Sequence, residues 1–361
     1  LHPCHAGLTD ANQWIKEFFH MATIKDVAKI AGVSPSTVSR VIAGSDRISN
    51  RTKEKVRRAM EEVEYVPNAI ARSLARANTR TVGFTLSRRA DQAFSNPFFS
   101  EVLRGMSSVA QFRDYNILLS ISMNEREERE KCLRLIRERR VDGLIVSTSR
   151  VHDTLISTLV EEETPFVVIG RSAEHPALSV NNDNVHASYQ ATLHLLDQGY
   201  QSIAFISGPR DLVVTSDRVQ GYKQALLERQ LPVVPERIVS TEFSEEEGFQ
   251  ALCRLRSEGV AFDAVLASDD LFALGALRFA HYTGLSVPSD LGIIGFNDTP
   301  MMTYTHPPLT SVRILSYELG VEAMQLLLDG LEHPERMQTK KEVVLPSRLE
   351  VRESTRRLAK S

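Results

Sequence analysis

The stretch from Thr23 to Ile42, Thr-Ile-Lys-Asp-Val-Ala-Lys-Ile-Ala-Gly-Val-Ser-Pro-Ser-Thr-Val-Ser-Arg-Val-Ile, constrains this chain more than any other. Ile24, Val27, Ala28 and Ala31 recur at helical spacing and give a first short helix one apolar face. Gly32 can take the left-handed conformation that ends it. Ser34 fits the N-cap of a second helix, and Pro35 fits its first position, where a missing N–H costs nothing. Two short helices about a tight turn make a helix-turn-helix. With Val38, Val41 and Ile42 packed inward, Pro35, Ser36, Ser39 and Arg40 face out. Small hydroxyls followed by an arginine suit a helix that enters a DNA major groove, where arginine can fork onto guanine. Periodicity alone would also fit any small three-helix unit.

Charge favours the DNA reading. The 361-residue chain has a net charge of −3, unpromising for a DNA binder until it is divided. Residues 21–77 hold eleven Lys and Arg against six Asp and Glu, a surplus of +5 that leaves −8 on the remainder. A basic head on an acidic body fits a head that lies on phosphates. Ser49 is placed to cap a third helix running to about Glu64, with Val56, Ala59, Met60 and Val63 as its apolar stripe. Tyr65-Val-Pro67 ends it, because proline disfavours helix in the residue before it. Asn68 to Ala75 is a short amphipathic segment, too short to be a stable isolated helix, so its order depends on contacts.

From residue 80 the pattern changes. Apolar strands are expected at 81–86, 115–121, 143–147, 166–169, 202–207, 264–267 and 291–296. Helical patterns lie between them, at 97–112, 126–140, 184–198, 218–230, 245–258 and 270–283. Alternating strands and helices predict doubly wound parallel sheets, and there are too many strands for one compact sheet. Two α/β subdomains follow, about 80–181 with 313–345 and about 182–312 with 346–358. Ligands of such sheets bind at the carboxyl ends of strands, which places a site in the cleft between the two.

Candidates for that site stand at strand ends or in the loops after them. They are Phe98 and Phe99 in Asn96-Pro-Phe-Phe99, then Arg171, Arg218 in a helix-opening Asp217-Arg218, Asp269, Asn297 and Asp298. Aromatic rings and planar polar groups of this kind suit a sugar, which presents C–H faces and hydroxyls. Asp269 and Asp298 could instead cap the helices that follow, where aspartate is common.

Other function classes find little support. Cys4, Cys132 and Cys253 are an odd, scattered set, so reduced cytosolic thiols are expected, with Cys132 and Cys253 semi-buried in helices. The 42% hydrophobic and 25% charged content is that of an ordinary globular protein, and no apolar run reaches membrane-span length. There is no P-loop, no Gly-x-Ser-x-Gly elbow and no His-Glu-x-x-His pair, so neither an enzyme nor a cofactor is expected. A sugar-transport module is a further alternative, opposed by the basic head and by the absence of a secretory signal. Residues 1–20 contain Trp14 and a His2-Pro-Cys-His5 cluster, and are expected to be a leader without a fold of its own.

The Ala31-Gly-Val-Ser-Pro-Ser-Thr-Val-Ser-Arg40 run, followed by Tyr65-Val-Pro-Asn-Ala-Ile-Ala-Arg-Ser-Leu74-Ala, closely resembles the LacI/GalR family of bacterial repressors, and the resemblance extends over residues 22–355. It implies a helix-turn-helix head at 21–66, a hinge helix and linker at 67–79, and a periplasmic-binding-protein-like core at 80–361. It also implies that Thr23, Ser34, Pro35, Ser36, Thr37, Ser39, Arg40 and Ser49 meet DNA from the head. From the hinge, Leu74 would be an apolar wedge at a central base step, with Asn68 and Ala71 against the minor groove. The resemblance places Phe98 and Phe99 in a ring-stacking region, and Arg218, Asp269 and Asp298 where members hold effector polar groups. Members often carry Asn-Asp where this chain has Asp269-Asp270, and an ionised carboxylate, an acceptor only, favours a hydroxyl-rich ligand.

Within the family, residues 93–105, 166–171, 180–184 and 307–312 resemble maltose-operon repressors of the Gram-positive type. The implied protein is a cytoplasmic homodimer on operator DNA, nucleoid-associated when bound and released by a sugar, with maltose or a maltodextrin favoured. A regulator governed by a partner co-regulator protein, or one answering a different sugar, remains as an alternative. The chain's end, Arg348 to Leu358, has no leucine heptads for a tetramerising coiled coil.

Overall fold

The computed structural model describes residues 22–65, 78–87, 96–147, 149–337 and 341–357. The expected leader at 1–20 and most of the hinge, with Asn68, Ala71 and Leu74, lie outside these residues. The chain divides into two units, Leu1–Thr79 and Arg80–Ser361.

The first unit is three helices, α1 (Ile24–Ala31), α2 (Pro35–Ile42) and α3 (Asn50–Glu62). Each boundary has a local cause. The Asp26 carboxylate accepts from the Thr23 N–H at 2.8 Å and from the Thr23 hydroxyl at 2.7 Å, tying down the start of α1. Gly32 ends α1 at φ 64°, a conformation that glycine adopts without a Cβ clash. Ser34 and Ser49 cap α2 and α3 by accepting from the N–H groups of Thr37 and Thr52. Val27, Ala28, Ala31, Val38, Val56 and Ala59 form the buried centre, with Ile24 only partly buried at its edge.

The second unit begins with β1 (Thr81–Ser87), α4 (Pro97–Phe112), β2 (Asn116–Ser122) and α5 (Glu125–Arg137). It continues through β3 (Gly143–Val146), α6 (Thr154–Glu161), β4 (Phe166–Ile169), β5 (Leu178–Asn182) and α7 (Asn184–Asp197). Then come β6 (Ile203–Ser207), α8 (Val213–Glu228), β7 (Ile238–Ser240), α9 (Glu245–Ser257), β8 (Ala264–Ala267), α10 (Asp270–Thr283) and β9 (Gly292–Asn297). The chain closes with β10 (Thr310–Ile314), α11 (Ser316–Glu332), the single turn α12 (Pro334–Met337), β11 (Glu342–Leu345) and β12 (Ser347–Glu350).

Two six-stranded sheets result, ordered β11-β5-β4-β3-β1-β2 and β12-β10-β9-β8-β6-β7. Every pairing is parallel except β10 with β12. β3, β4 and β8 are buried along their whole length, as strands covered by helices on both faces must be. Helices α4 and α11 cross so closely that a Cβ on Gly105 would stand 2.0 Å from the Tyr317 carbonyl oxygen, and one on Gly320 would stand 2.0 Å from that of Val102.

Three details depart from the sequence reading. Strands β5, β7, β10, β11 and β12 lie outside the expected set. Helix α8 starts at Val213 rather than Arg218, so Asp217 and Arg218 sit in its second turn, not at its opening. Its start is hard to see because Val213-Val214-Thr215 is β-branched and Leu212 makes no side-chain cap. Cys132 is fully rather than partly buried, and burial pushes its thiol up to about 12. Among the described residues no helix is long and apolar enough to cross a membrane, and no group of three or more His, Cys, Asp or Glu could hold a metal ion.

Candidate functional site

The largest set of candidate residues meets in one cleft between the two sheets, with a cavity of about 100 Å³. Phe98, Phe99, Arg171, Arg218, Asp269 and Asn297 all line it. Asp298, proposed for the same site, does not. Its carboxylate is held by Arg313 at 2.7 Å and by Arg352 at 2.6 Å, while its backbone N–H donates to the Ser311 hydroxyl. Two guanidiniums from β10 and the segment after β12 therefore draw it away from the cleft and make it a fastener of its own subdomain.

The polar floor is built from strand ends and helix starts. Asn96 caps α4 by accepting from the Phe98 N–H at 3.0 Å, and its amide nitrogen donates to Asp269 Oδ2 at 2.9 Å. Asp269 caps α10 through Oδ1, which accepts from the Leu271 N–H at 2.9 Å, and its Oδ2 also accepts from Asn297 at 3.1 Å. Capping and cleft-lining, set against each other in the sequence, are thus the same placement for Asp269. Asn297 and Asp298 follow one another at φ 106° and 53°, a rare excursion for non-glycine residues, where β9 ends.

The two cations of the cleft are held differently, one by a carboxylate and one by neutral groups. Arg171 grips Asp217 with two parallel bonds, Nε to Oδ2 at 2.9 Å and Nη2 to Oδ1 at 2.5 Å, across the gap between the subdomains. Arg218 is buried, its Nε donating to Asn184 at 2.9 Å and its Nη1 to the Ser268 carbonyl at 2.5 Å. Its guanidinium also lies 3.8 Å from the centre of the Phe296 ring. Burial pulls its pKa down to about 10, against the opposing pull of Asp269, Asp217 and Asp270.

The apolar wall is aromatic. Phe98 and Phe99 meet edge to face at 5.2 Å and 86°. From the other subdomain Phe243, stacked on Phe272 at 5.4 Å, completes it. Sequence reasoning did not select Phe243, Asp217, Asn181, Asn182 or Asn184 for the site, and all five line it. The three asparagines lie in the segment 180–184 quoted for the family resemblance, a signal left unused. Phe243 follows the three-residue edge strand β7 and has no local pattern to betray it.

On the head, Pro35, Ser36, Ser39 and Arg40 are exposed along one side of α2. Ser34 and Thr37 bond to each other at 2.9 Å at the start of α2. Thr23 and Ser49 stand at the starts of α1 and α3, where free N–H groups and the positive end of a helix suit a phosphate.

Comparison with known proteins gives a consistent result. The description "Bacterial regulatory proteins, lacI family" matches residues 23–68, and a periplasmic binding protein-like domain matches residues 192–355. The HTH-type transcriptional regulator MalR of Streptococcus pneumoniae is 39% identical over 310 residues, covering 85% of this chain and 92% of the relative. A CelR–cellobiose complex has a TM-score of 0.72 at 32% identity, and the lac repressor dimer bound to operator and an anti-inducer has 0.79 at 27%. Each alignment covers 92% of this chain and 99% of the other. Head, core and extent of similarity agree, and the chain belongs to the LacI family of bacterial regulatory proteins.

Proposed function

We propose that this protein represses sugar-utilisation genes and leaves its operator when a neutral sugar enters the cleft, with maltose or a maltodextrin favoured. The observation that carries the reading is the charge balance of the cleft. Arg171 is answered by Asp217, and Arg218 lies among Asp217, Asp269 and Asp270. An anionic effector would meet the Asp217 carboxylate that already holds Arg171, and acidic groups around an Arg218 whose own bonds go to Asn184 and the Ser268 carbonyl. A hydroxyl-rich ligand can donate to the carboxylates and asparagine oxygens and lay C–H faces on Phe98, Phe99 and Phe243. The likeness to MalR, and that of residues 93–105, 166–171, 180–184 and 307–312 to maltose-operon repressors, favour maltose within that class.

In this reading the head (21–66) places α2 in the major groove, with Arg40, Ser36 and Ser39 toward base edges and Thr23 and Ser49 toward phosphates. The hinge (67–79) brings Leu74, Asn68 and Ala71 to the minor groove of a near-palindromic site, because a homodimer imposes its symmetry on its operator. The protein acts in the cytoplasm and catalyses no reaction. Sugar binding shifts the relation of the two subdomains, which it can do only by binding one arrangement better than the other.

Operator affinity measured by fluorescence anisotropy at fixed salt, with and without maltose, tests the proposal. A loss of affinity with maltose supports repressor and sugar together. No change removes maltose as direct effector and turns the search to other sugars, then to a partner protein.

A further inference from the structure

A second set of bonds joins the subdomains at the rim of the cleft. The loop after β3 and the turn before α8 pair as a short antiparallel ladder. The Val151 N–H donates to the Asp211 carbonyl at 2.8 Å, the Val213 N–H donates to the Ser149 carbonyl at 3.0 Å, and Arg150 and Leu212 face one another between them. Ser149, Leu212 and Val213 line the cleft, and Arg150 does not.

The Arg150 side chain is only 12% exposed. Within its own subdomain, Nη2 donates to the Ser87 hydroxyl at 2.8 Å and Nη1 to Glu128 Oε2 at 3.3 Å. Glu128 is 1% exposed, and its other oxygen accepts from the Thr85 hydroxyl at 2.9 Å. Across the gap, Arg150 Nε lies 3.4 Å from Asp211 Oδ2. Its backbone N–H donates to Asp153, which caps α6. A carboxylate as buried as Glu128 is costly without a cation, so it pins Arg150 in place. Asp211 is 59% exposed and can exchange the guanidinium for water. One half of the joint is fixed and the other half is releasable.

From this geometry we propose that Arg150 is the positioning residue of the effector response. Anchored on Glu128, it holds the rim ladder in register and biases the subdomains toward the bonded arrangement that grips the effector, without touching the effector. Such a bias raises the fraction of chains competent to bind, and so the apparent affinity. The effector part of this inference rests on the cleft reading above, and the ladder does not.

Hydrogen-exchange mass spectrometry on the full chain without sugar, followed by maltose calorimetry and operator anisotropy, tests it. The variants are Arg150→Met, Arg150→Lys and Asp211→Asn. In the wild type the amides of Val151 and Val213 are expected to be protected. Arg150→Met and Asp211→Asn should speed their exchange roughly tenfold, and Arg150→Lys less, with peptides from β6 and β8 unchanged. Maltose affinity should fall roughly fivefold in Arg150→Met while sugar-free operator affinity does not fall.

Unprotected rim amides in the wild type, or unchanged exchange in Arg150→Met, would overturn the proposal. So would a joint loss of both affinities with faster exchange in the sheets, the mark of a merely structural role. Should Arg150→Met fail to fold, Asp211→Asn and the double variant Arg150→Met/Glu128→Leu, which removes the buried Arg150–Glu128 pair together, decide the matter. If the wild type binds no maltose, the choice of sugar fails and the exchange data still judge the ladder.

Discussion

Asn96 Nδ2 lies 2.9 Å from Asp269 Oδ2, a hydrogen bond between helix caps that belong to different sheets. One carboxylate thus starts α10, meets the opposite subdomain and lines the cleft. Replacing it by the isosteric amide separates those duties. In Asp269→Asn the bond from the Leu271 N–H should survive, because asparagine caps as well as aspartate, but the new Nδ2 would face the Asn96 and Asn297 amide nitrogens, so stability to urea should fall by about 1–3 kcal/mol. Sugar affinity should fall roughly tenfold or more by calorimetry, since a charge-assisted acceptor is lost. An unchanged affinity would remove Asp269 from the effector contacts.

The head can be tested apart from the cleft. Arg40→Ala should weaken binding to the cognate operator by about 1–3 kcal/mol while non-specific binding falls less. Thr23 and Ser49 stand at helix starts, and their replacement by alanine should instead weaken both kinds of binding together. Anisotropy titrations on cognate and scrambled duplexes at two salt concentrations distinguish the patterns.

Asp298 should behave as a structural residue. Asp298→Ala leaves the largely buried guanidinium of Arg352 without its carboxylate, and loss of one partner of such a pair costs about 3–5 kcal/mol. Denaturant unfolding should show that loss, while the folded fraction binds sugar with unchanged affinity. A folded, stable variant that no longer binds sugar would return Asp298 to the cleft.

Asp270 gives stability a pH signature. Burial pushes its carboxyl up to about 7, although the Thr299 N–H and the Ser311 hydroxyl partly offset the shift. The folded form therefore keeps a proton that the unfolded chain releases near pH 4. Stability from this group is present below that pH and is lost as pH rises toward 7. In Asp270→Asn that loss disappears, so stability relative to wild type should improve between pH 4 and 7 by up to roughly 4 kcal/mol. Parallel urea curves at those two pH values check the sign.

The head was legible because its boundaries are set by neighbours in sequence. Thr23 with Asp26, Gly32, Ser34-Pro35 and Ser49 each act within a turn or so of their own position. The buried strands β3, β4, β6, β8 and β9 were legible because fully covered parallel strands are largely continuous apolar runs, whereas β5 and β10, almost as buried, were not, because Leu-Ser-Val-Asn-Asn and Thr-Ser-Val-Arg-Ile mix in polar residues. What was hidden depends on distant partners. β7, β11 and β12 are short strands with partly exposed patterns, defined only by what they pair with. Asp269 and Asp298 look alike in sequence, each following a strand. Arg313 and Arg352 separate their roles, and neither is near Asp298 along the chain.

The chain passes between the two sheets three times, from β5 to α7, from β10 to α11 and from β11 to β12. The two lobes are therefore joined by three separate stretches of backbone. Severing any one of them, by a protease or by circular permutation, leaves two and should not free the lobes. Asn182 and Asn184 flank the first stretch and Ile314 ends the strand that leads into the second, and all three line the cleft. An occupant of the cleft therefore lies against the backbone that joins the two lobes.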